Sequence, residues 1–194
     1  QICSAIKLTN LVAKLESSLD AAQSRNNVLN RMSMIDELTG VYNRENTQKM
    51  IDAILREKAP EGFHGFLILD MDHFKEVNDV YGHVMGDNVL RMLGGFLKEQ
   101  FREQDVIGRI GGDEFVILLC NIGSRENMES RIKNLHENLR EIRMEGMGEH
   151  TFTFSAGIAF APQDGDTFME LYQKADLALY QVKRSGRNGY RIYK

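Results

Sequence analysis

The sequence predicts an α+β domain, one largely antiparallel sheet with helices packed against it, preceded by a long N-terminal helix. Three observations carry this. The stretch GRIGGDEFVILL, residues 108–119, joins two short β-prone runs through paired glycines, which reads as a hairpin. Two further runs, FHGFLILDM at 63–71 and TFTFSAGIAF at 151–160, have the composition of strands. Segments of helical periodicity fall between them, so strands and helices mix around a sequential hairpin. With 194 residues, 42% of them hydrophobic and 27% charged, the chain can bury one substantial core plus an appendage.

The appendage comes first. Residues 2–35 contain neither Pro nor Gly, and Leu8, Leu11, Leu15, Ser18, Ala22, Arg25, Leu29 and Met32 recur at spacings of three and four. This heptad seam predicts a signalling helix over residues 1–35 that pairs with a copy of itself as a coiled coil, the polar Ser18 and Arg25 keeping the pairing adjustable. A single amphipathic helix packed on the following domain is the plainer alternative. The pattern breaks at DELTGVYNR, 36–44, where Thr39 and Gly40 supply turn chemistry, and the domain boundary falls there, giving a second domain over 36–194. Within it the pattern predicts a helix over 45–57, the strand 63–71 and a short helix from Phe74. A longer helix over 87–101 follows, with Val89, Leu93, Phe96 and Leu97 on one face. After the hairpin come a helix over 125–143, the strand 151–160, a helix over 168–184 and a last strand at 190–193.

Bulk properties exclude several functions. A formal charge of −4 gives no electrostatic footprint for nucleic acid, so any polyanionic ligand must be held locally. Cys3 and Cys120 are too few for a disulfide framework or a zinc site, which fits a cytoplasmic setting. No apolar run approaches the length of a membrane span, and no signal-peptide layout is present. The chain begins at Gln1, as a piece of a longer protein would, so an upstream sensory domain or a membrane tether is expected to precede it. His64, His73, His83, His136 and His150 lack metal-ligand spacing and are expected to have surface or satisfied roles. The glycine-rich segments match neither a P-loop nor a dinucleotide-binding fingerprint.

The chemistry concentrates in LILDMDHFKEVND, 67–79, and in the hairpin. A strand that ends in Asp70 and Asp72 delivers hard oxygen ligands to its C-terminal edge, just before a helix N-terminus. The bland reading makes Asp72 the cap of that helix and Asp70 a solvated strand end. An EF-hand is excluded, since Phe74 stands where the loop needs an oxygen ligand. If the hairpin strand neighbours this one, Asp70 and Asp113 converge as a paired-carboxylate Mg²⁺ site for phosphoryl transfer. Gly111 and Gly112 then have a reason, because backbone without Cβ lets a phosphate or base approach closely.

GGDEF at 111–115, with DELTGVYNR, DMDHFKEVNDVYGHVMGD and KADLALYQVKRSGRN, resembles the GGDEF-domain diguanylate cyclases of bacteria, and the resemblance covers residues 36–194. It implies a palm-like domain of the nucleotidyl-cyclase type, in which two GTP molecules on two facing domains condense to cyclic di-GMP and pyrophosphate. Asp70 and Asp113 fall on the family's metal-binding carboxylates for Mg²⁺ or Mn²⁺, with the Met71 carbonyl as a backbone ligand, and Glu114 on the neighbouring acidic position. Asn78 and Asp87 fall on the guanine-reading pair, a carboxylate being able to accept the N1 and N2 protons that adenine does not offer; the plain alternative for Asp87 is the N-cap of the helix it begins. Phe74 and Lys75 lie on the phosphate-binding turn. Lys183 and Arg187, spaced i, i+4, are phosphate ligands, against the plain alternative of cations at a helix C-terminus.

Two expectations concern partners. The resemblance implies a homodimer, which the N-terminal seam would assemble. Arg102 and Asp105 form an R-x-x-D pattern six residues before Gly111, the spacing of the family's inhibitory site for its own product, with Arg131 or Lys133 as partner cations. The competing function is a non-catalytic module that binds GTP or cyclic di-GMP, which a broken signature would favour; here the signature is intact.

Overall fold

The computed structural model describes residues 34–57 and 63–194. The heptad seam between Leu8 and Met32 lies outside the described residues. Asp36–Lys194 form one compact unit. Its elements are α1 (Arg44–Arg56), β1 (His64–Met71), α2 (Phe74–Tyr81), α3 (His83–Gln100), β2 (Val106–Gly111), β3 (Glu114–Leu119), α4 (Arg125–Arg140), β4 (Phe154–Ala161), α5 (Phe168–Arg184) and β5 (Gly189–Ile192).

The sheet order is β2-β3-β1-β4-β5. β1 lies between β3 and β4 and is antiparallel to both, and β2–β3 is the expected antiparallel hairpin. β4–β5 is parallel, and Tyr42 adds an isolated parallel bridge to Gly108 of β2. Strand alternation sorts the side chains onto two faces. Leu67, Leu69, Phe115, Ile117 and Phe154 pack with Leu93 and Leu97 of α3 and Ile132 and Leu135 of α4. Phe66, Ile68, Val116 and Leu118 pack with Ile51 of α1 and Leu171, Ala175 and Leu179 of α5. Both faces of the central strands are therefore apolar, and β1 reads as a continuous hydrophobic run rather than an alternating one.

Most predicted elements occur within a few residues of their expected bounds. The largest shift is in α3, which begins at His83 rather than Asp87. Gly82, at φ 81°, makes the break after α2, and helix resumes at once. Asp87 thus lies in the second turn and is not the N-cap. Gly86 sits inside the helix because a Cβ there would run into the Asn78 side chain; the close approach of α2 to α3 requires its missing side chain. Asp72 caps nothing either. His73, at φ 59°, stands at the N-cap of α2 and Asp72 is buried. Two histidines depart from a surface or satisfied role: His64 Nδ1 and His136 Nε2 are buried without a hydrogen-bond partner. His136 stacks on Phe154 with centroids 3.7 Å apart, and burial above all lowers its pKa to about 4, so the ring is neutral at pH 7.

α5 has well-defined ends. Thr167 accepts from the Glu170 N–H and Glu170 reaches back to Thr167, a capping box, while Asp52 of α1 accepts from the Phe168 N–H at 2.8 Å. Because Leu67 is fully buried on β1, with strands on both sides, Leu67→Ala should lower the unfolding free energy by about 2–5 kcal/mol with an unchanged denaturant slope. Urea titration followed by circular dichroism checks this.

Candidate active site

The site lies where β1 ends against the start of β3. Asp70 pairs in register with Glu114 of β3 and with Ser155 of β4. The parity that turns Phe66, Ile68, Val116 and Leu118 toward α5 also assigns Asp70 and Glu114 to that face, and their contacts agree. Lys183 Nζ stands 2.7 Å from Asp70 Oδ2, and Tyr172 Oη donates to Glu114 Oε1 at 2.7 Å. One helix therefore supplies a partner to each carboxylate.

Asp113 occupies the hairpin tip. Gly112 adopts φ 53°, the left-handed conformation that a tight turn takes most easily with glycine, and the register shifts between Arg109 and Gly111. A Cβ on Gly111 or Gly112 would meet nothing within 4 Å, so the backbone of the tip faces open space. Arg109 braces the tip from below. Its Nε donates to the Gly112 carbonyl at 2.8 Å, and its Nη1 reaches both carboxylate oxygens of Asp36 at 3.2 Å. Asp36 also accepts from Thr39 N and Oγ1, which explains the DELTG run as a turn that anchors the hairpin.

The electrostatics are those of crowded anions. Burial, and then the charge of Asp70, raise the Asp113 pKa from 3.8 to about 6, while Lys183 opposes the shift. Glu114 is also raised, first by burial, with the Tyr172 hydroxyl pulling it down and Asp70 and Asp176 pushing it up. Burial and the bond to Glu114 hold the Tyr172 hydroxyl firmly protonated, as a donor. Among the described residues no group of three or more His, Cys, Asp and Glu side chains is gathered closely enough to hold a metal ion. The fit to a divalent cation rests instead on two hard carboxylates, Asp70 and Asp113, that repel each other and have Lys183 as a nearby countercharge. A cation would relieve that repulsion.

The other expected residues form separate groups. Asn78 packs over Gly86, next in the chain to the exposed Asp87, and the half-buried Phe74 lies beside them. Lys75 is exposed on the first turn of α2. Arg187 is exposed, on the turn that follows α5. Met71 turns its side chain into the core on the α3 face. Arg102 and Asp105 precede β2, at the far end of the hairpin from Asp113. Asp105 is buried; its Oδ2 accepts from the Arg102 N–H at 3.0 Å and faces Arg131 at 3.4 Å, and its Oδ1 accepts from the Cys120 N–H at 2.9 Å. Sequence reasoning did not single out Arg109 or Tyr172, whose carboxylate partners, Asp36 and Glu114, lie far along the chain.

The profile of the diguanylate cyclase GGDEF domain matches residues 33–189. The chain belongs to the GGDEF domain family. It is 34% identical over 180 residues to the diguanylate cyclase DgcS of Shewanella oneidensis, covering 92% of this chain and 58% of that protein. With the probable diguanylate cyclase DgcC of Escherichia coli it shares 35% identity over 161 residues, 81% of this chain and 42% of the relative. A relative named for another activity, the cyclic di-GMP phosphodiesterase PdeR of Escherichia coli, is 34% identical over 158 residues, 81% of this chain and 24% of its own length. The chain thus spans about half the length, or less, of these relatives. Among solved structures, the GGDEF domain of TpbB from Pseudomonas aeruginosa matches with a TM-score of 0.77 at 32% identity, covering 82% of this chain and 94% of that one. The coiled coil and GGDEF domain of DgcB from Caulobacter crescentus, solved with c-di-GMP, matches at 0.85 and 23% identity over 95% of this chain and 98% of that one, a likeness of fold.

Because the folded value for Asp113 lies above 3.8, the folded protein keeps a proton that the unfolded chain releases. Ionising Asp113 therefore destabilises the fold progressively between about pH 4 and pH 6, and the whole penalty is present above that. Without divalent cations, Asp113→Asn should raise the melting temperature at pH 8 and leave it unchanged near pH 4. An equal effect at both pH values in calorimetry would contradict the geometry.

Proposed function

We propose that this domain is a diguanylate cyclase, and that the observation carrying the reading is the convergence of Asp70, Asp113, Glu114 and Lys183 at one end of the sheet beneath an open glycine tip. Each of two facing domains binds one GTP. The 3′-hydroxyl oxygen of one nucleotide bonds to the α-phosphorus of the other, the bond from that phosphorus to the β-phosphate bridge breaks, and pyrophosphate leaves. Repeating the transfer in the opposite sense closes the ring of cyclic di-GMP.

The residues divide the work. A divalent cation, Mg²⁺ or Mn²⁺, held by Asp70 and Asp113 with the Met71 carbonyl, would neutralise charge on the phosphoryl group and acidify the attacking hydroxyl. Gly111 and Gly112 leave room for the phosphates, and Lys183, Arg187 and Lys75 supply countercharge to the triphosphate. Glu114 is tied through one oxygen to Tyr172 and orients the reacting groups with the other. Asn78 and Asp87 read the guanine edge, with Phe74 alongside, and the carboxylate rejects adenine by leaving its acceptors unmatched. Pairing of residues 1–35 in a homodimer would raise the effective concentration of one domain at the other. A cytoplasmic location, with a sensory domain or membrane tether upstream, completes the proposal; none of the helices among the described residues is long and apolar enough to cross a membrane.

Incubation with GTP and Mg²⁺, followed by product separation, should yield cyclic di-GMP, and ATP in its place should yield no cyclic dinucleotide. Asp70→Asn and Asp113→Ala should each lower turnover by at least a hundredfold with folding intact. GTP bound without turnover by the wild-type protein would favour the binding-module alternative, and full activity in Asp113→Ala would sink the mechanism.

Product inhibition is the second part of the proposal. Arg102 offers donors to a phosphate or to the guanine acceptors, and Asp105 accepts from guanine N1 and N2 once its Oδ2 exchanges the Arg102 N–H and Arg131 for the base. Arg131 or Lys133 then supplies the partner cation. Wild-type progress curves should flatten as product accumulates, and those of Arg102→Ala should stay linear for longer. Equal cyclic di-GMP affinity in the wild type and an Arg102→Ala, Asp105→Ala variant would remove the site.

A further inference from the structure

Asp72 has neither of the roles a carboxylate at that position suggests. It is 6% exposed, and its oxygens are committed to three protein donors: Ser155 Oγ at 2.6 Å, Thr153 Oγ1 at 2.9 Å and the backbone N–H of Asn188 at 2.9 Å. The first two contacts add little connectivity. Thr153 and Ser155 flank Phe154, which the ladder already pairs with Met71, and the Asp72 N–H already donates to the Thr153 carbonyl. The third contact crosses to another part of the chain, the turn that links α5 to β5.

That turn is expensive to hold. Gly186, Arg187 and Asn188 have φ values of 109°, 62° and 51°, so two residues with side chains stand in succession in the left-handed region. Such a conformation persists only where surrounding bonds over-determine it. Three do so here. The Arg187 N–H donates to the Val182 carbonyl at 3.1 Å, Arg140 Nη2 of α4 donates to Asn188 Oδ1 at 2.9 Å, and the Asn188 N–H donates to Asp72. Of the two side chains among these anchors, Arg140 is exposed and Asp72 is buried, and the residue held between them is Arg187, exposed.

We propose that Asp72 is a positioning residue for the phosphate site: its buried carboxylate fixes the strained turn that sets where the Arg187 guanidinium stands for the triphosphate of the nucleotide. The inference rests on the reading of Arg187 as a phosphate ligand. It gives the two aspartates of the Asp70-Met71-Asp72 run different tasks, one at the reacting centre and one behind it. It also distinguishes Asp72 from a cation ligand. An asparagine at 72 can keep its oxygen toward Asn188 and Thr153 and point its amide at Ser155, whose hydroxyl can turn to accept, whereas a cation ligand loses its charge on that change.

The test is binding of α,β-methylene-GTP, which cannot transfer its nucleotidyl group, measured by calorimetry with Mg²⁺, alongside guanosine followed by NMR titration. Asp72→Ala should weaken the triphosphate about tenfold and leave guanosine unchanged, and Asp72→Asn should stay within about threefold of wild type. In an Arg187→Ala background Asp72→Ala should cost little more, because both changes remove the same contact. Arg140→Ala, which frees the turn from its exposed side, should show the same non-additivity with a smaller loss, and it decides the matter if Asp72→Ala does not fold. Additive losses, an equal loss of guanosine binding, or an Asp72→Asn as weak as Asp72→Ala would overturn the inference while leaving Arg187 a phosphate ligand. An Arg187→Ala that binds the analogue normally would remove the phosphate reading itself, and this inference with it.

Discussion

Asp70 and Asp113 repel each other in half-buried surroundings, and much of the domain is arranged so that they stay together regardless. A β1–β3 pairing in register brings the strand end and the hairpin tip to one place. Arg109, braced on Asp36, prevents the tip from turning away, and Lys183 supplies countercharge. The raised pKa of Asp113 is the residue of that conflict. An arrangement that costs the folded state and serves nothing in packing is what binding a cation demands of a protein, since affinity is stored as repulsion that the cation relieves.

α5 carries a disproportionate share of this organisation. Tyr172 holds Glu114, Lys183 holds Asp70 from the last turn of the helix, and the turn bearing Arg187 follows directly. The helix is fixed at its N-terminus by Asp52 and along its length by Leu171, Ala175 and Leu179 against the sheet. Tyr172 and Lys183 are therefore presented by one rigid body, so their spacing is set by helix geometry, while Arg187 depends on the turn that follows.

Local chemistry decided which parts of this were legible in the sequence. The β2–β3 hairpin, α2 and α5 announce themselves through glycines, caps and periodicity, and their bounds are close to those expected. Asp87 and Gly86 misled because a carboxylate after a glycine looks like a helix start, whereas Gly86 is there to accommodate Asn78 from the preceding helix. β1 is buried on both faces, so it lacks the alternation that would tell one face from the other. The site carboxylates were visible as motifs, but their supports were not. Tyr172 reaches Glu114 across 58 positions, and Asn188 reaches Asp72 across 116. No spacing rule connects residues that only a sheet order of β2-β3-β1-β4-β5 makes neighbours.

One modest feature at the rim of the sheet bears on how such a domain meets its own copies. Tyr42 lies along the outer side of β2, its N–H donating to the Ile107 carbonyl at 3.0 Å and its carbonyl accepting from Arg109 at 2.8 Å, while the opposite margin is β5, four residues long. One margin is thus partly occupied and the other offers a short template, so neither invites a foreign strand to extend the ladder. The proposed reaction, which calls for repeated, reversible encounters between identical molecules, has particular need of that. The same surface concentration that favours productive meeting would otherwise favour fusion of two sheets into one, and the blunted margins keep encounter separate from aggregation.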